Sequence, residues 1–426
     1  MKIAIISDLH LNKSIYRSVM DKEWSIPFRN ADFMRSFEWM VKDCVNNVKP
    51  DLLVIGGDVC DTPNPSNIIR GFFSAQLSKL LEADIPVVIL VGNHDVLQQS
   101  HALDALKKLN LKKIKVIDKP MKHNFEGHEL LFFPYSLDVE RKLILIKDQF
   151  TQFIDKLPEK EEGVPRLLFA HFGVKGGRLN SYSDSETPPN IDVDSNSSTS
   201  SEEKEKKAFI NRKATDISVD DLDKVGAEYV ILGDFHEHQI LNTKKCVAMY
   251  TGSIERTSMT EADQKKGFVV YDSEAEEKGS MGKCRFVEYP KCRPMIEIRG
   301  TLSAMKEEFG KIDKEAFKGA VVKLSFTGDS DELLSFSTGS EQFKKEIVEA
   351  IEPIHLFHKQ TVKNEEEEEE VSELEKEILE KGHMEDTDVL DVVEEMIKER
   401  LIDEAEEQEL TIKLAQEIYQ VNKEGK

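Results

Sequence analysis

Short apolar runs rich in β-branched residues recur along the first half of the chain, and each is broken off by polar side chains. Ile3-Ala4-Ile5-Ile6 stops at Ser7-Asp8-Leu9-His10, and residues 51–55 close on Gly56-Gly57-Asp58-Val59-Cys60-Asp61. Residues 86–91 end on Gly92-Asn93-His94-Asp95, and 166–169 run into Ala170-His171-Phe172. Residues 229–232 run into Gly233-Asp234-Phe235-His236-Glu237-His238. Apolar runs this short, without alternation, predict strands buried on both faces. Between them the apolar period lengthens. Met34, Phe37, Val41, Cys44, Val45 and Val48 fall at helical spacing, and Pro50 closes that helix, predicted over 31–48. Further helices are predicted at 66–81, 101–109 and 138–157. Strands alternating with helices, with five strand ends delivering Asp, His or Asn from one edge, predict a layered α/β fold with one composite site.

Strands at 114–117, 129–133, 246–250, 267–271 and 285–289 complete a first domain over 1–290. It is interrupted at 179–207 by a stretch of Ser, Asp, Glu, Asn and Pro that reads as a flexible insertion. Residues 291–362 follow as a small β-α-β-α-β unit without clustered catalytic residue types. Its predicted pieces are a strand at 295–299, a helix at 302–309, a strand at 320–326, a helical or mixed stretch at 331–351 and a strand at 355–362. Residues 363–426 open with six consecutive glutamates, Glu365 to Glu370, and then resume a helical period. Val371, Leu374 and Ile378, then Val389, Val392, Val393, Met396 and Ile397, then Leu410, Leu414 and Ile418 mark apolar faces with no core of their own. Such faces dock on something, either this chain's own domain or a partner.

Composition changes this picture in two places. The net charge of −23 argues against a nucleic-acid partner until it is located: 363–410 carries −17 of it, leaving −6 for the other 378 residues. The acidity belongs to the tail. The five cysteines, Cys44, Cys60, Cys246, Cys284 and Cys292, are odd in number and show no C-x-x-C spacing, which fits a reducing compartment and makes the cytoplasm the expectation. No stretch approaches the ~20 apolar residues of a membrane span, and the first strand begins at once, so neither a span nor a leader is expected.

Asp8, His10, Asp58, Asn93, His171, Asp234 and His236, with His238 nearby, mix oxygen and imidazole donors without thiolate. That suits Mn²⁺, Fe²⁺, Mg²⁺ or Zn²⁺ in open sites rather than a closed structural zinc site. The set exceeds what one ion takes, so two ions sharing a carboxylate is the simplest reading. Such a pair clamps the attacking and leaving oxygens of a phosphoryl displacement and acidifies a bridging water.

Asp8-x-His10, Gly57-Asp58-x-x-Asp61, Gly92-Asn93-His94-Asp95, Ala170-His171 and Gly233-Asp234-Phe235-His236 together resemble the calcineurin-like metallophosphoesterases. The similarity is strongest to the SbcD-type DNA double-strand-break repair nucleases and their phage recombination-endonuclease relatives. Tyr250-Thr251-Gly252-Ser253-Ile254-Glu255-Arg256 and Glu261 to Phe268, with its Lys265-Lys266-Gly267-Phe268, resemble segments of that branch. The resemblance implies a metallophosphoesterase β-sandwich flanked by helices, a small α+β capping domain at 291–362, and a helical C-terminal tail. It implies that Asp8 and His10 hold one metal, that Asp58 bridges, and that Asn93 and His171 hold the second. His94 would face the scissile phosphate, Asp95 would orient its imidazole, and Asp61 would lie near the substrate.

At the last motif the family has Gly-His-x-His. A gap-free alignment puts Asp234 in place of the first His and His236 at the second, whereas a shift of two makes the pair His236 and His238; the flanking Leu232-Gly233 and Gln239 favour the former. The implied cofactors are two divalent ions, Mn²⁺ before Mg²⁺. The implied activity is exonucleolytic or endonucleolytic phosphodiester hydrolysis by a two-metal-activated water. The implied partners are DNA, a second copy of the chain, and an SbcC-type ABC ATPase gripped by the tail. Lys13, Arg17, Lys22 and Arg29, with Lys175 and Arg178, lie beside the ligands in sequence and are candidates for DNA phosphates, against a plain reading as solvated charge. A protein phosphatase or cyclic-nucleotide phosphodiesterase is the competing enzyme class, and Thr62-Pro63 and Asp95 count against the phosphatases. A non-catalytic scaffold of the same fold is the remaining alternative.

Overall fold

The computed structural model describes residues 1–13, 15, 19–97, 99–178, 217–328 and 330–362. The expected insertion at 179–207, the acidic tail from 363, and Arg17 lie outside the described residues. The chain divides into two units. The first comprises 1–299, 303–325 and 339–359 and contains the site; the described residues of the second are 300–302, 326–328, 330–338 and 360–362.

Two six-stranded sheets build the first unit. In spatial order the first runs β14 (Cys284–Glu288), β13 (Gly267–Asp272), β1 (Lys2–Ile6), β2 (Leu52–Ile55), β3 (Val87–Leu90) and β6 (Ile114–Ile117). The second runs β11 (Gln239–Leu241), β12 (Val247–Tyr250), β10 (Tyr229–Gly233), β9 (Arg166–His171), β8 (His128–Phe133) and β7 (Met121–Phe125). β1, β2, β3 and β6 are mutually parallel, as are β8, β9, β10 and β12, while β13, β14, β11 and β7 close the edges antiparallel. Met295–Gly300, Val321–Gly328 and His355–Val362 (β15, β16, β17) form a separate three-stranded sheet, with helices Leu302–Lys311 and Ser330–Ile351 between them in sequence. A two-residue pair, β4 (Val96–Leu97) with β5 (Ser100–His101), follows the third ligand loop.

The apolar runs lack alternation because both faces of each sheet are covered. Ile3, Ile5, Leu52, Val54, Val88 and Leu90 from one sheet meet Leu130, Phe132, Leu167, Phe169, Tyr229 and Ile231 from the other in the central core. The opposite side chains, Ala4, Ile6, Leu53, Ile55, Val87 and Ile89, pack under the helices α1 (Phe28–Asp43) and α2 (Asn67–Glu82). On the outer face of the second sheet, Leu131, Phe133, Leu168, Val230 and Leu232 pack with Phe150, Phe172 and Leu222. Among the described residues no helix is long and apolar enough to cross a membrane.

The five polar strand ends come from both layers of the expected sandwich, β1, β2 and β3 from the first sheet and β9 and β10 from the second, so the site lies where two sheets meet. Several expectations need correction. The helix predicted over 138–157 is two pieces, Leu137–Glu140 and Ile146–Asp155. Leu143 and Leu145 between them keep the apolar period, yet both are exposed. α1 begins at Phe28 and ends in a π-helical turn, Cys44–Val48. Its early start makes Arg29 a fully buried helix residue rather than a loop cation facing DNA.

Arg29 belongs to a charge network that anchors the 250–268 segment. Its Nη1 is 2.6 Å from Asp32 Oδ2, and its Nη2 donates to the Arg256 carbonyl. Arg293 grips the same carboxylate through Nε and Nη2 at 2.5 and 2.6 Å. Removing one member of such a buried set leaves its partners unpaired, so Asp32→Ala should cost ~3–5 kcal/mol. The urea midpoint, with the slope unchanged, measures it.

Candidate metal centre

The ligand loops leave their strands in strained backbone. Asp8 and His10 after β1 have φ of +53° and +41°, Asp58 after β2 +50°, and Asp234 after β10 +101°. Left-handed conformations cost non-glycine residues of order 1 kcal/mol or more and concentrate at functional sites. The first two loops are fastened together, Asp8 N–H to Gly57 O and His10 N–H to Asp58 O, each at 3.0 Å. Gly57, at φ +105°, lies where a Cβ would overlap the His171 imidazole, and a Cβ on Gly92 would overlap Asp58. Backbone of the second and third ligand loops thus approaches the site too closely for side chains.

Three groups of donor atoms converge: Asp8 with His10 and His236; His10 with Asp58 and His94; and Asp8 with Asp58 and His171. Asp58 faces two imidazoles with different oxygens, Oδ2 3.9 Å from His10 Nε2 and Oδ1 3.3 Å from His171 Nε2. His171 Nδ1 donates to Gly56 O at 2.8 Å, which leaves Nε2 among acceptors, with Asn93 Oδ1 at 2.9 Å. His236 Nδ1 lies 2.9 Å from Glu261 Oε1, and its Nε2 is 3.0 Å from His10 Nε2. His10 Nδ1 lies 3.2 Å from Asp61 Oδ1. Imidazole nitrogens turned toward one another and toward carboxylates, with their second nitrogens committed elsewhere, are satisfied by a proton or a cation placed among them.

The electrostatics agree. Burial opposes the imidazolium of His171, but Asp58, Asp8 and Asp234 raise it to about 10. Burial likewise opposes the Asp58 carboxylate, yet His171, His10 and His94 bring its pKa well below the ordinary range. The His10 imidazole is pushed down by burial and His236. That field attracts positive charge into a buried set of hard oxygens and imidazoles, and the residues present fit divalent cations.

His94 is exposed; its N–H donates to Asp58 Oδ1 at 2.9 Å and its Nδ1 lies 3.1 Å from the Asp61 carbonyl. Asp95, expected from sequence to orient that ring, turns its carboxylate to the backbone of the neighbouring loops. Its buried carboxylate accepts the backbone N–H groups of Cys60 (2.9 Å), Gly92 (3.0 Å) and Val59 (3.2 Å), tying the second and third ligand loops together. Burial and the charge of Asp58 push its carboxyl up, against those three donors. Asp61 instead backs both His10, through its carboxylate, and His94, through its carbonyl. Its carboxyl, which burial would raise, is held at about 2 by His10 and Lys13.

At the last motif the side chains of Asp234 and His238 stand outside the three converging groups. Asp234 N–H donates to both Asp8 oxygens at 3.2 Å, and burial with Asp58 and Asp8 raises its carboxyl to about 6, His171 opposing. His238 Nδ1 bonds the Tyr250 carbonyl at 2.8 Å and its ring stacks on Phe286 with centroids 4.3 Å apart. Of the candidate DNA contacts, Lys13 is held by Asp61 at 2.9 Å and Arg178 by Glu237 at 2.9 Å, while Lys22 and Lys175 are exposed.

Glu261 and Lys266 carry no sequence-derived role. They sit in a stretch singled out only by resemblance, and Glu261 stands 25 residues beyond the imidazole it touches, a spacing no local rule detects.

The family model for calcineurin-like phosphoesterases matches residues 1–238. Among curated proteins, the DNA double-strand break repair protein Mre11 of Methanosarcina mazei is 23% identical over 345 residues, covering 79% of this chain and 47% of that protein. The chain thus spans about half the length of that relative. Among solved structures, a purple acid phosphatase from yellow lupin seeds aligns with a TM-score of 0.37 at 12% identity, over 63% of this chain and 48% of that one. The phosphopantetheinyl hydrolase of Mycobacterium tuberculosis aligns at 0.30 and 12%, over 59% and 90%. With a family match over more than half its length and Asp and His donors gathered at the ends of five strands, the chain belongs to the calcineurin-like phosphoesterases.

Proposed function

We propose that this chain is a metal-dependent DNA nuclease of double-strand-break repair or recombination, of the SbcD type. The observation that carries the chemistry is the pair of imidazoles, His10 and His171, facing opposite oxygens of Asp58, with the exposed His94 fastened to that same carboxylate. Support for the DNA substrate is the likeness to Mre11 along most of the chain. Asp8, His10 and His236 would hold one divalent ion and Asn93 and His171 the other, with Asp58 between them. Bound there, the ions supply Lewis acidity and an acidified water for phosphodiester hydrolysis. Mn²⁺ is the favoured ion, with Mg²⁺ next, and Asp234 is retained as a ligand candidate through its charge.

The protein's own part is positional. Backbone bonds from Asp61 and to Asp58 hold the His94 ring at the mouth of the site. From there it donates to a phosphate oxygen or protonates the leaving oxygen. Lys13, three residues after His10, and Lys175 and Arg178, which follow His171, are the cations proposed to receive the strand. The assembly proposed is a homodimer with an SbcC-type ATPase docked on the helical segments of 371–426, in the cytoplasm.

The experiment compares linear duplex DNA with a small phosphomonoester and a small phosphodiester, in Mn²⁺, for wild type and His94→Ala. Duplex DNA should be degraded, and His94→Ala should lower that rate by ~10²–10⁴-fold while Mn²⁺ binding persists. Phosphomonoester turnover without DNA hydrolysis would overturn the nuclease reading.

A further inference from the structure

Glu261 and Lys266 are buried charges that the chemistry above leaves unused, and both stand directly behind His236. Glu261 Oε1 lies 2.9 Å from His236 Nδ1, and Oε2 accepts the Thr257 backbone N–H at 2.8 Å. The Thr257 hydroxyl donates to Oε1 and stands 2.9 Å from the same imidazole nitrogen. Lys266 Nζ is 2.6 Å from Glu261 Oε2 and donates, at 2.9 Å each, to the His236 carbonyl, Ser253 Oγ and Gln264 Oε1. Both groups are fully matched.

As a source of stability this is a poor arrangement, since well-packed apolar residues of similar volume avoid the desolvation that a buried ion pair requires. What it provides is geometry. Glu261 accepts a hydrogen bond from His236 Nδ1, which turns Nε2 toward His10. Lys266 fixes the carboxylate that does this and also grips the backbone carbonyl of His236. One ligand is therefore held at its ring and at its main chain by two ends of the same ion pair. An imidazole donating to a buried carboxylate is fixed in tautomer and made more basic toward a metal, and loss of such support typically costs 10–100-fold in affinity.

We propose that Glu261 and Lys266 are positioning residues that orient His236 for a divalent cation at the Asp8–His10–His236 corner, setting the affinity of that corner without touching the ion. The inference rests on the metal-centre reading above. Its test is Mn²⁺ titration by calorimetry on the full, chelator-stripped chain, with the unfolding midpoint recorded without metal. Glu261→Gln should weaken one class of Mn²⁺ sites by ~10–100-fold and leave the other within twofold. In a His236→Ala background the same substitution should change nothing further. The Glu261→Gln/Lys266→Met double variant removes both charges together and should show the same selective loss even where either single change prevents folding. Equal Mn²⁺ affinity in folded Glu261→Gln or double variant, or an undiminished effect in the His236→Ala background, overturns the positioning role alone. A wild-type chain that binds no Mn²⁺ overturns the metal centre itself.

Discussion

Asp58→Asn should abolish metal-dependent hydrolysis, lowering turnover by at least ~10³-fold, about 4 kcal/mol of transition-state stabilisation. Several independent contacts meet at this one carboxylate. Its two oxygens face His10 and His171 separately, and it accepts the backbone N–H of His94. Asn keeps the shape and one acceptor, so the His94 bond survives. It removes the anion that two imidazoles share, and a neutral amide is a weak bridge between cations. Mn²⁺ calorimetry should therefore show both classes of site weakened, unlike the one-sided effect expected at Glu261. An Asp58→Asn chain that keeps both Mn²⁺ sites and its rate would mean that the carboxylate is not shared.

How far this was legible from sequence depends on what each residue advertises locally. An apolar run cut off by Asp, His or Asn is visible without neighbours, so all five strand ends could be read directly. The division of those strands between two sheets could not. Ile3 and Ile5 point to the central core while Ala4 and Ile6 pack under α1 and α2, and with both faces apolar no alternation remains to assign a side. β7 carries a polar pattern, and β11 is only three residues long, so neither run announces a strand.

Sequence adjacency misleads in the same physical way. Asp95 follows His94, but at the turn its carboxylate points back to three loop N–H groups, whereas Asp61, 33 residues away, supplies the carbonyl against His94. Arg29 looks like a loop cation until its buried ion pairs with Asp32, one helical turn on, and Glu255 are seen. The last motif shows the limit most clearly: aligned flanks can weigh Asp234 against His238, but only the stacking of His238 on Phe286 and its bond to Tyr250 show why that ring faces elsewhere.

Gly57→Ala should inactivate and destabilise the chain together, and Gly71→Ala should do the reverse for stability. Gly57 has φ +105°, a conformation that any Cβ strains, at ~1–3 kcal/mol. The methyl would also overlap the His171 ring, whose Nδ1 is bonded to the Gly56 carbonyl next door. To relieve the overlap the imidazole must swing off that carbonyl, which releases Nε2 from Asn93 and Asp58. The two costs are separable by assay. Strain lowers the urea midpoint with or without Mn²⁺, whereas displacement of His171 removes Mn²⁺ affinity at the Asn93–His171 corner and with it the rate. Gly71 sits in α2 with nothing within 4 Å of where a Cβ would be. There alanine only narrows the unfolded ensemble and improves helix propensity, a gain of ~0.5–1 kcal/mol with unchanged Mn²⁺ binding. If both alanines shifted the midpoint in the same direction, the close approach of the second ligand loop to His171 would not be what requires glycine at position 57.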